Sequence, residues 1–413
     1  MEKTMEKLWN KNFSIVTIGS FISALGSSVA GVAIGILIYL ETESPLLLGL
    51  FMIANIIPRF IASFLVGPYV DRHSRIKMIY TFDFFYTFAF ALIGIILYSG
   101  YFNVWVFMLI SGFFGIIDTT YQTAFMSLFP EVVPKGMHTK AYSISSLIWP
   151  ISAALMAPVA TFFIYHVDQG IPILMGFNAI TFFITALMET KIKTQEELNT
   201  TEVEKNQFIH DMKEGIAYYK QEKGILGIGL LFMTFSFVYA VSDLLRMPFF
   251  EQSTIYNLDH YAYLISIGSL GRIVGGFIHY RYKLNPKHKF TIALTVYFIV
   301  ELFDAFMLFT PFVVMAVMTF LVGLFSVTSF NIRMSATQTY IPSAKRGRVN
   351  SVQNVLWNIG AIVGILLFAF IAEYTSIGYE YLILSSAIVS LSAIFLFPVR
   401  WKEEFKKIYN VDV

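Results

Sequence analysis

Gly67-Pro68-Tyr69-Val70-Asp71-Arg72-His73-Ser74-Arg75-Ile76-Lys77 is a short basic loop set between two long apolar runs. The run before it covers residues 45–69 and the run after it residues 77–98. Each is long enough to cross a bilayer as a helix, which takes about 20 mostly apolar residues. The pattern continues on both sides. Residues 13–39 form a first span, and 103–128, 143–165 and 170–188 complete a set of six. After a polar segment come 224–247, 260–280, 289–309, 311–330, 351–372 and 379–398. Backbone groups left unpaired in lipid are too costly, so these spans are expected to be helices. Barrel strands of about ten residues with alternating polarity are absent.

Composition agrees with that reading. Of 413 residues 56% are hydrophobic and 14% charged, with 42 Phe and 23 Tyr. Soluble domains carry about 25% charged residues. The net charge of +2 matters less than its placement. With the N-terminus in the cytoplasm, the outer loops are 41–44, 99–102, 166–169, 251–259, Thr310 and 373–377, and none contains Lys or Arg. The inner segments hold Lys3, Lys7, Lys11, Arg72, Arg75, Lys135, Lys140, Arg281, Lys283, Lys345, Arg346, Arg348 and Arg400. The positive-inside rule then places both termini in the cytoplasm. The basic N-terminus runs into an apolar stretch too long for a signal-peptide core, so it reads as a retained helix. The chain has no Cys, which excludes disulfides and thiolate metal sites.

The sequence also repeats itself. A shift of 208 residues lays Met126 on Met334, Ser127 on Ser335, Pro134 on Pro342, Lys140 on Arg348, Ser143 on Ser351 and Trp149 on Trp357. The same shift lays Gly67 on Gly275, Arg75 on Lys283, and the second span on the eighth. The expected fold is an all-α membrane protein of twelve transmembrane helices in two pseudo-repeated six-helix bundles. Such repeats are a transporter architecture with the substrate site near the bilayer midplane. The expected divisions are residues 1–190, a linker at 191–223, and 224–413. Within the linker, 206–223 puts Phe208, Ile209, Met212, Ile216 and Tyr219 on one helical face. That suits a helix on the inner leaflet or a solvated linker helix.

The opening loop resembles the inner-loop signature of the major facilitator superfamily: a Gly, an Asp-Arg pair, then further basic residues. Gly19 to Ser27, Leu48-Gly49-Leu50, Pro58, Pro342 and Arg346-Gly347-Arg348-Val349 follow the order of its macrolide-efflux and enterobactin-exporter branch among drug:proton antiporters. Ser74 stands where the signature has a second Gly, Ala157-Pro158 where antiporters often have Gly-Pro, and the fourth span lacks their Arg. The resemblance implies the major facilitator fold and efflux by alternating access across the cell membrane, in a bacterium. Partners would be a small-molecule substrate, protons and membrane lipids, with a monomer as the working unit, no nucleic acid and no cofactor.

Residue roles follow. Gly67 is expected to permit close helix approach. Asp71, Arg72 and Arg75 would form a gating latch with the second-half copy around Arg346 and Arg348. Ionisable groups inside spans are costly and mark function or static pairing. Arg59 and Asp118 sit about 21–22 Å deep at 1.5 Å per residue, with opposite signs, so they are expected to pair. The candidates for proton coupling are Asp118, Arg59, Asp243, Glu301 and Asp304. Arg272 and Glu301 are expected to pair at similar depth. Asp243 with Arg246, and Glu301 with Asp304, share helix faces at i,i+3. Asp83 is expected to support the Asp-Arg loop. Tyr121, Trp149, Phe237, Tyr239 and Trp357 are candidate cavity aromatics. An enzyme or receptor is the alternative of another class, but no H-E-x-x-H, nucleophile motif or phosphate-cradling loop appears. His73, His138 and His210 lack metal-ligand spacing. The leading expectation is proton-driven export of an amphipathic drug or macrolide-like compound, with siderophore export or lipid translocation next.

Overall fold

The computed structural model describes residues 7–134, 136–194, 196, 207–282 and 285–410. Lys3, Lys135 and Lys283, most of the linker, and the side chains of Phe208, Ile209 and His210 lie outside the described residues. Among those described there is no strand, and twelve helices are long and apolar enough to cross a membrane.

The first unit comprises 1–43 and 54–203. Its helices are α1 (Lys11–Thr42), α2 (Pro45–Ala62), α3 (Val66–Arg72), α4 (Arg75–Tyr98), α5 (Val104–Val132), α6 (His138–His166) and α7 (Gly170–Glu189). Side-chain caps fix several starts. Asn10 accepts from the Phe13 amide at 2.8 Å, and Asn103 accepts from the Trp105 and Val106 amides. These satisfy donors that a helix leaves unpaired at its first turn. α7 packs along both α4 and α1. Phe13, Val70, Ile79, Leu128 and Phe129 form a core near the end from which the Asp71-Arg72 loop emerges.

The second expected span is not one helix to Tyr69. It ends at Ala62, turns through Phe64 N–H to Ile61 O and Leu65 N–H to Ala62 O, and resumes as α3. Pro68 accounts for the break, because its ring would clash with the carbonyl four residues back, at Phe64.

The second unit comprises 44–53 and 204–413. It contains α8 (Gln207–Gln221), α9 (Lys223–Gln252), α10 (Leu258–Arg281), α11 (Lys289–Phe306), α12 (Phe312–Tyr340), α13 (Ser343–Tyr374), α14 (Tyr379–Arg400) and α15 (Lys402–Tyr409). The first turns of α2 group here. Glu373 on α13 accepts from the Ser44 hydroxyl at 2.7 Å and the Leu46 amide at 3.3 Å. α8 docks on α13 with Gly215 against the Arg348 carbonyl, and Tyr219 donates to Gln353 at 3.0 Å. Burial pushes the Tyr219 phenol up. The apolar face expected for this segment is therefore rotated: Tyr218 and Tyr219 are buried, while Ile216 points outward. The face is set by the protein surface it meets. The basic C-terminal stretch, read from sequence as an inner tail, also folds. Phe405, Ile408 and Tyr409 of α15 bury beside Ile228, Leu231 and Tyr297, and the Tyr297 and Tyr409 hydroxyls meet at 2.9 Å.

The repeat is visible in the helix bounds. Adding 208 to the bounds of α5 gives those of α12, and the last residues of α4 and α6 shift onto those of α11 and α13. Spans two and eight obey a different offset. α2 begins at Pro45 and α10 at Leu258, 213 residues apart.

Candidate functional site

α2 and α5 touch where α5 lacks side chains. A Cβ on Gly115 would lie 2.5 Å from the Asn55 carbonyl oxygen and 3.3 Å from the Arg59 amide nitrogen. Only glycine permits that approach. Asn55 Nδ2 donates to the Ser111 carbonyl at 2.9 Å, and the Thr119 hydroxyl to the Arg59 carbonyl at 3.2 Å, so the two helices are tied above and below. One turn beyond Gly115, Asp118 meets Arg59, with Arg59 Nη2 2.8 Å from Asp118 Oδ2. The Tyr86 hydroxyl of α4 donates to the other carboxylate oxygen. The pair expected from depth and sign is therefore formed. It is not buried: the Arg59 side chain is 51% exposed and that of Asp118 36%. Beside it runs an apolar groove of about 570 Å³, lined by Ala54, Pro58, Trp105, Leu109, Phe113 and Ile116.

The second unit repeats this contact. A Cβ on Gly323 of α12 would meet the Gly268 carbonyl oxygen at 2.1 Å and the Arg272 amide nitrogen at 3.2 Å. Gly115 and Gly323 are 208 apart, so Asn55 corresponds to Gly268 and Arg59 to Arg272, an offset of 213. Laying Gly67 on Gly275 is thus a misregister by five residues; the connection before α10, 253–257, is longer than that before α2, 43–44. Asp118 corresponds to Ser326. Arg272 is exposed and has no ion pair among the described residues.

Arg272 does not pair with Glu301, contrary to expectation. Glu301 is buried on α11 and accepts from Ser390 of α14. Similar depth does not fix helix rotation, and Glu301 turns to Ser390 of α14. Asp304, one turn on, accepts from Ser242 at 2.7 Å and pairs with Arg246. The direct ion pair of Arg246 is therefore with Asp304 and not with its i,i+3 neighbour Asp243, which is exposed and lies within electrostatic reach of Arg246 and Arg272.

In the Asp-Arg loop, Asp71 and Arg72 are exposed at the end of α3, and Asp71 has no hydrogen bond among the described residues. Arg75, buried at the start of α4, pairs with Glu131 at the end of α5. Glu196 accepts from Ser74 and, at 3.0 Å, from the Ile76 amide. Arg346 donates to the Ile341 carbonyl at 3.0 Å, and Arg348 pairs with Glu214 of α8. The acids Glu131, Glu196 and Glu214 were not singled out in the sequence. Only Glu131 carried a positional signal, at the end of α5 before a basic loop; Glu214 lies in the middle of α8 and Glu196 beyond the end of α7. Gly67 does not serve close packing, since a Cβ there meets open space. Asp83 does not support the loop either; it is fully buried between α4 and α7. Of the aromatics, Trp149, Tyr239 and Trp357 are exposed, Phe237 packs on Phe368, and Tyr121 stacks on Phe125.

The family model described as Major Facilitator Superfamily matches residues 16–364. Macrolide efflux protein A of Streptococcus pyogenes is 21% identical over 403 residues, 94% of this chain and 97% of that protein. Macrolide efflux protein A of Enterococcus faecalis is 26% identical over 224 residues, 52% of this chain and 65% of that protein. The crystal structure of the nucleoside transporter NupG matches with a TM-score of 0.70 at 13% identity, covering 94% of this chain and 99% of that one. At that identity the structural match speaks for the fold.

Proposed function

The chain belongs to the major facilitator superfamily and is a multi-pass membrane transporter, not an enzyme; from that premise we propose that it exports an amphipathic, macrolide-like compound by alternating access, coupled to inward proton flow. The substrate class rests on likeness to macrolide efflux proteins along nearly the whole chain. The groove lined by Pro58, Trp105, Leu109, Phe113 and Ile116 suits it, offering an apolar wall whose residues Pro58 and Ile116 lie close to Arg59 and Asp118 in sequence.

Proton coupling rests on one observation: the Arg59–Asp118 pair is half-exposed within two spans. Charge on a lipid-facing surface is costly, so that face is expected to meet water. A water-accessible carboxylate held by an arginine can gain a proton when the pair separates and lose it when the pair re-forms. Substrate entry beside Arg59 would supply the separation. The Tyr86 hydroxyl, which donates to Asp118, would hold the carboxylate as Arg59 separates from it.

The test uses inverted membrane vesicles and a radiolabelled macrolide. Acidifying the lumen should drive uphill accumulation by the wild type. Asp118→Asn should abolish accumulation while leaving labelled-for-unlabelled exchange within about tenfold of wild type, a barrier change of about 1.4 kcal/mol or less. Unchanged uphill accumulation by Asp118→Asn would refute the role of Asp118. Absence of any macrolide movement in the wild type would refute the substrate class. A second reading, export of an anionic siderophore or lipid, is favoured by Arg272, an exposed intramembrane cation with no ion pair among the described residues.

A further inference from the structure

Two acids face each other inside the first bundle. Asp83, on α4, is 0% exposed, and Glu189, the last residue of α7, is 1% exposed. Neither Asp83 oxygen meets an N–H or O–H donor among the described residues, nor does Glu189 Oε2. What Asp83 meets is the Glu189 carboxyl, and the remaining contact of Glu189 is the Tyr121 hydroxyl of α5.

Counter-charges are spoken for or distant. Arg75, eight residues before Asp83 on α4, is committed to Glu131. Lys191, two residues beyond Glu189, is exposed. α1 packs along α7 and has no ionisable side chain between Asn12 and Ile38. α6 also contacts α7 and has none between Ser143 and Ile164. α4 itself supplies Tyr86, one turn from Asp83, whose hydroxyl is turned to Asp118. The groups facing the pair are thus Tyr121 and Tyr86, with Asp118 and Arg59 beyond them.

Two carboxylates in contact, out of water and without a cation, cannot both be charged. Two carboxyls that share one proton satisfy each other, as one O–H donates to the opposite oxygen. We propose that Asp83 and Glu189 form a proton-binding site that holds one shared proton, separate from the Arg59–Asp118 pair and joined towards it by Tyr121 and Tyr86. The repeat supports a dedicated role. The residues 208 further on are Thr291 and Phe397, so the second half has no such site and the fold does not require one. Tyr121 stabilises whichever oxygen of Glu189 keeps the negative charge. Releasing the shared proton needs water to enter between α4 and α7, so this site exchanges only when that seam loosens. A proton lodged here is thereby kept from leaking while Asp118 works at an exposed face.

The pair can be read without transport, so the result is independent of what the protein exports. Infrared spectra of the purified protein in lipid at neutral pH would be compared with those of the double variant Asp83→Asn/Glu189→Gln. That variant keeps shape and removes both acids. The wild-type-minus-variant spectrum isolates the pair and cancels Glu301 and every other carboxyl. The expected difference contains one protonated-carboxyl C=O band, which shifts in heavy water, and one carboxylate band. Two carboxylate bands and no C=O band would overturn the proposal. A C=O band that appears only after treatment with a chelator would also overturn it, identifying a metal cation as the occupant. If the double variant does not fold, Asp83→Asn and Glu189→Gln are read singly, and loss of the C=O band in neither would count against a shared proton.

Discussion

Asp71 and Arg75 sit four residues apart in one loop and meet different fates. Arg75 is buried and paired with Glu131, so it ties the start of α4 to the end of α5 in the state seen. Asp71 is exposed and has no hydrogen bond among the described residues, as a group would be that makes its contacts in another state. Asp71→Asn is therefore expected to slow transport in vesicles severely while the purified protein still binds the labelled macrolide with wild-type affinity. Normal transport would leave the motif as a charge that only sets orientation. The sequence announces such residues unevenly. Asp118 and Arg59 could be matched because both lie mid-span at one depth with opposite signs. Depth served Arg272 and Glu301 badly, because a helix in lipid is apolar all round and its periodicity does not say which way a side chain turns. Glu189 was hidden for another reason: it closes its helix next to Thr190 and Lys191 and looks like the first polar residue of the linker.

At the scale of helices, the glycines that matter are those opposite a backbone. Gly115 on α5 meets Asn55 and Arg59, and that contact brings Asp118 within 2.8 Å of Arg59. Gly31 on α1 meets nothing within 4 Å. Gly115→Leu should force α2 and α5 apart. Overpacking costs about 1–3 kcal/mol, so a lower melting temperature is expected, together with loss of gradient-driven uptake. Gly31→Ala should not lower the melting temperature, because alanine is the better helix former. A Gly115→Leu protein as stable and active as the wild type would show that the helix contact does not position the pair. Sequence alone favoured Gly67 because it lies in the motif. Nothing in a single chain tells a glycine facing a neighbour from one facing open space. Helix ends were no clearer: the spans read as 311–330 and 351–372 are helices Phe312–Tyr340 and Ser343–Tyr374, and the caps Asn10, Asn103 and Asn257 were not used to place the starts they fix. The break at Ser63–Leu65 was missed although Pro68 signals it, because an uninterrupted apolar run reads as one span.

For the molecule as a whole, number and order of spans were legible because lipid imposes a length on every crossing and the basic loops alternate. The repeat was legible too, but only in one register, since the different offset of spans two and eight cannot be seen without the helix contacts. Orientation remains a prediction with a direct check in a chain that has no Cys. Thr42→Cys should react with an impermeant thiol reagent on intact cells and Ser343→Cys should not, and the reverse pattern would invert the topology. The correspondence of Arg59 with Arg272 bears on what either half could be by itself. Two copies of the first half would carry the arginine–aspartate pair twice and the buried acid pair twice. Two copies of the second would carry the arginine opposite Ser326 twice, with no acid at the position of Asp118 and with Thr291 and Phe397 where the other acids lie. Neither symmetric homodimer reproduces the charge arrangement of the single chain, so the two halves are no longer interchangeable parts, and their fusion preserves a polarity that a dimer of identical subunits would erase.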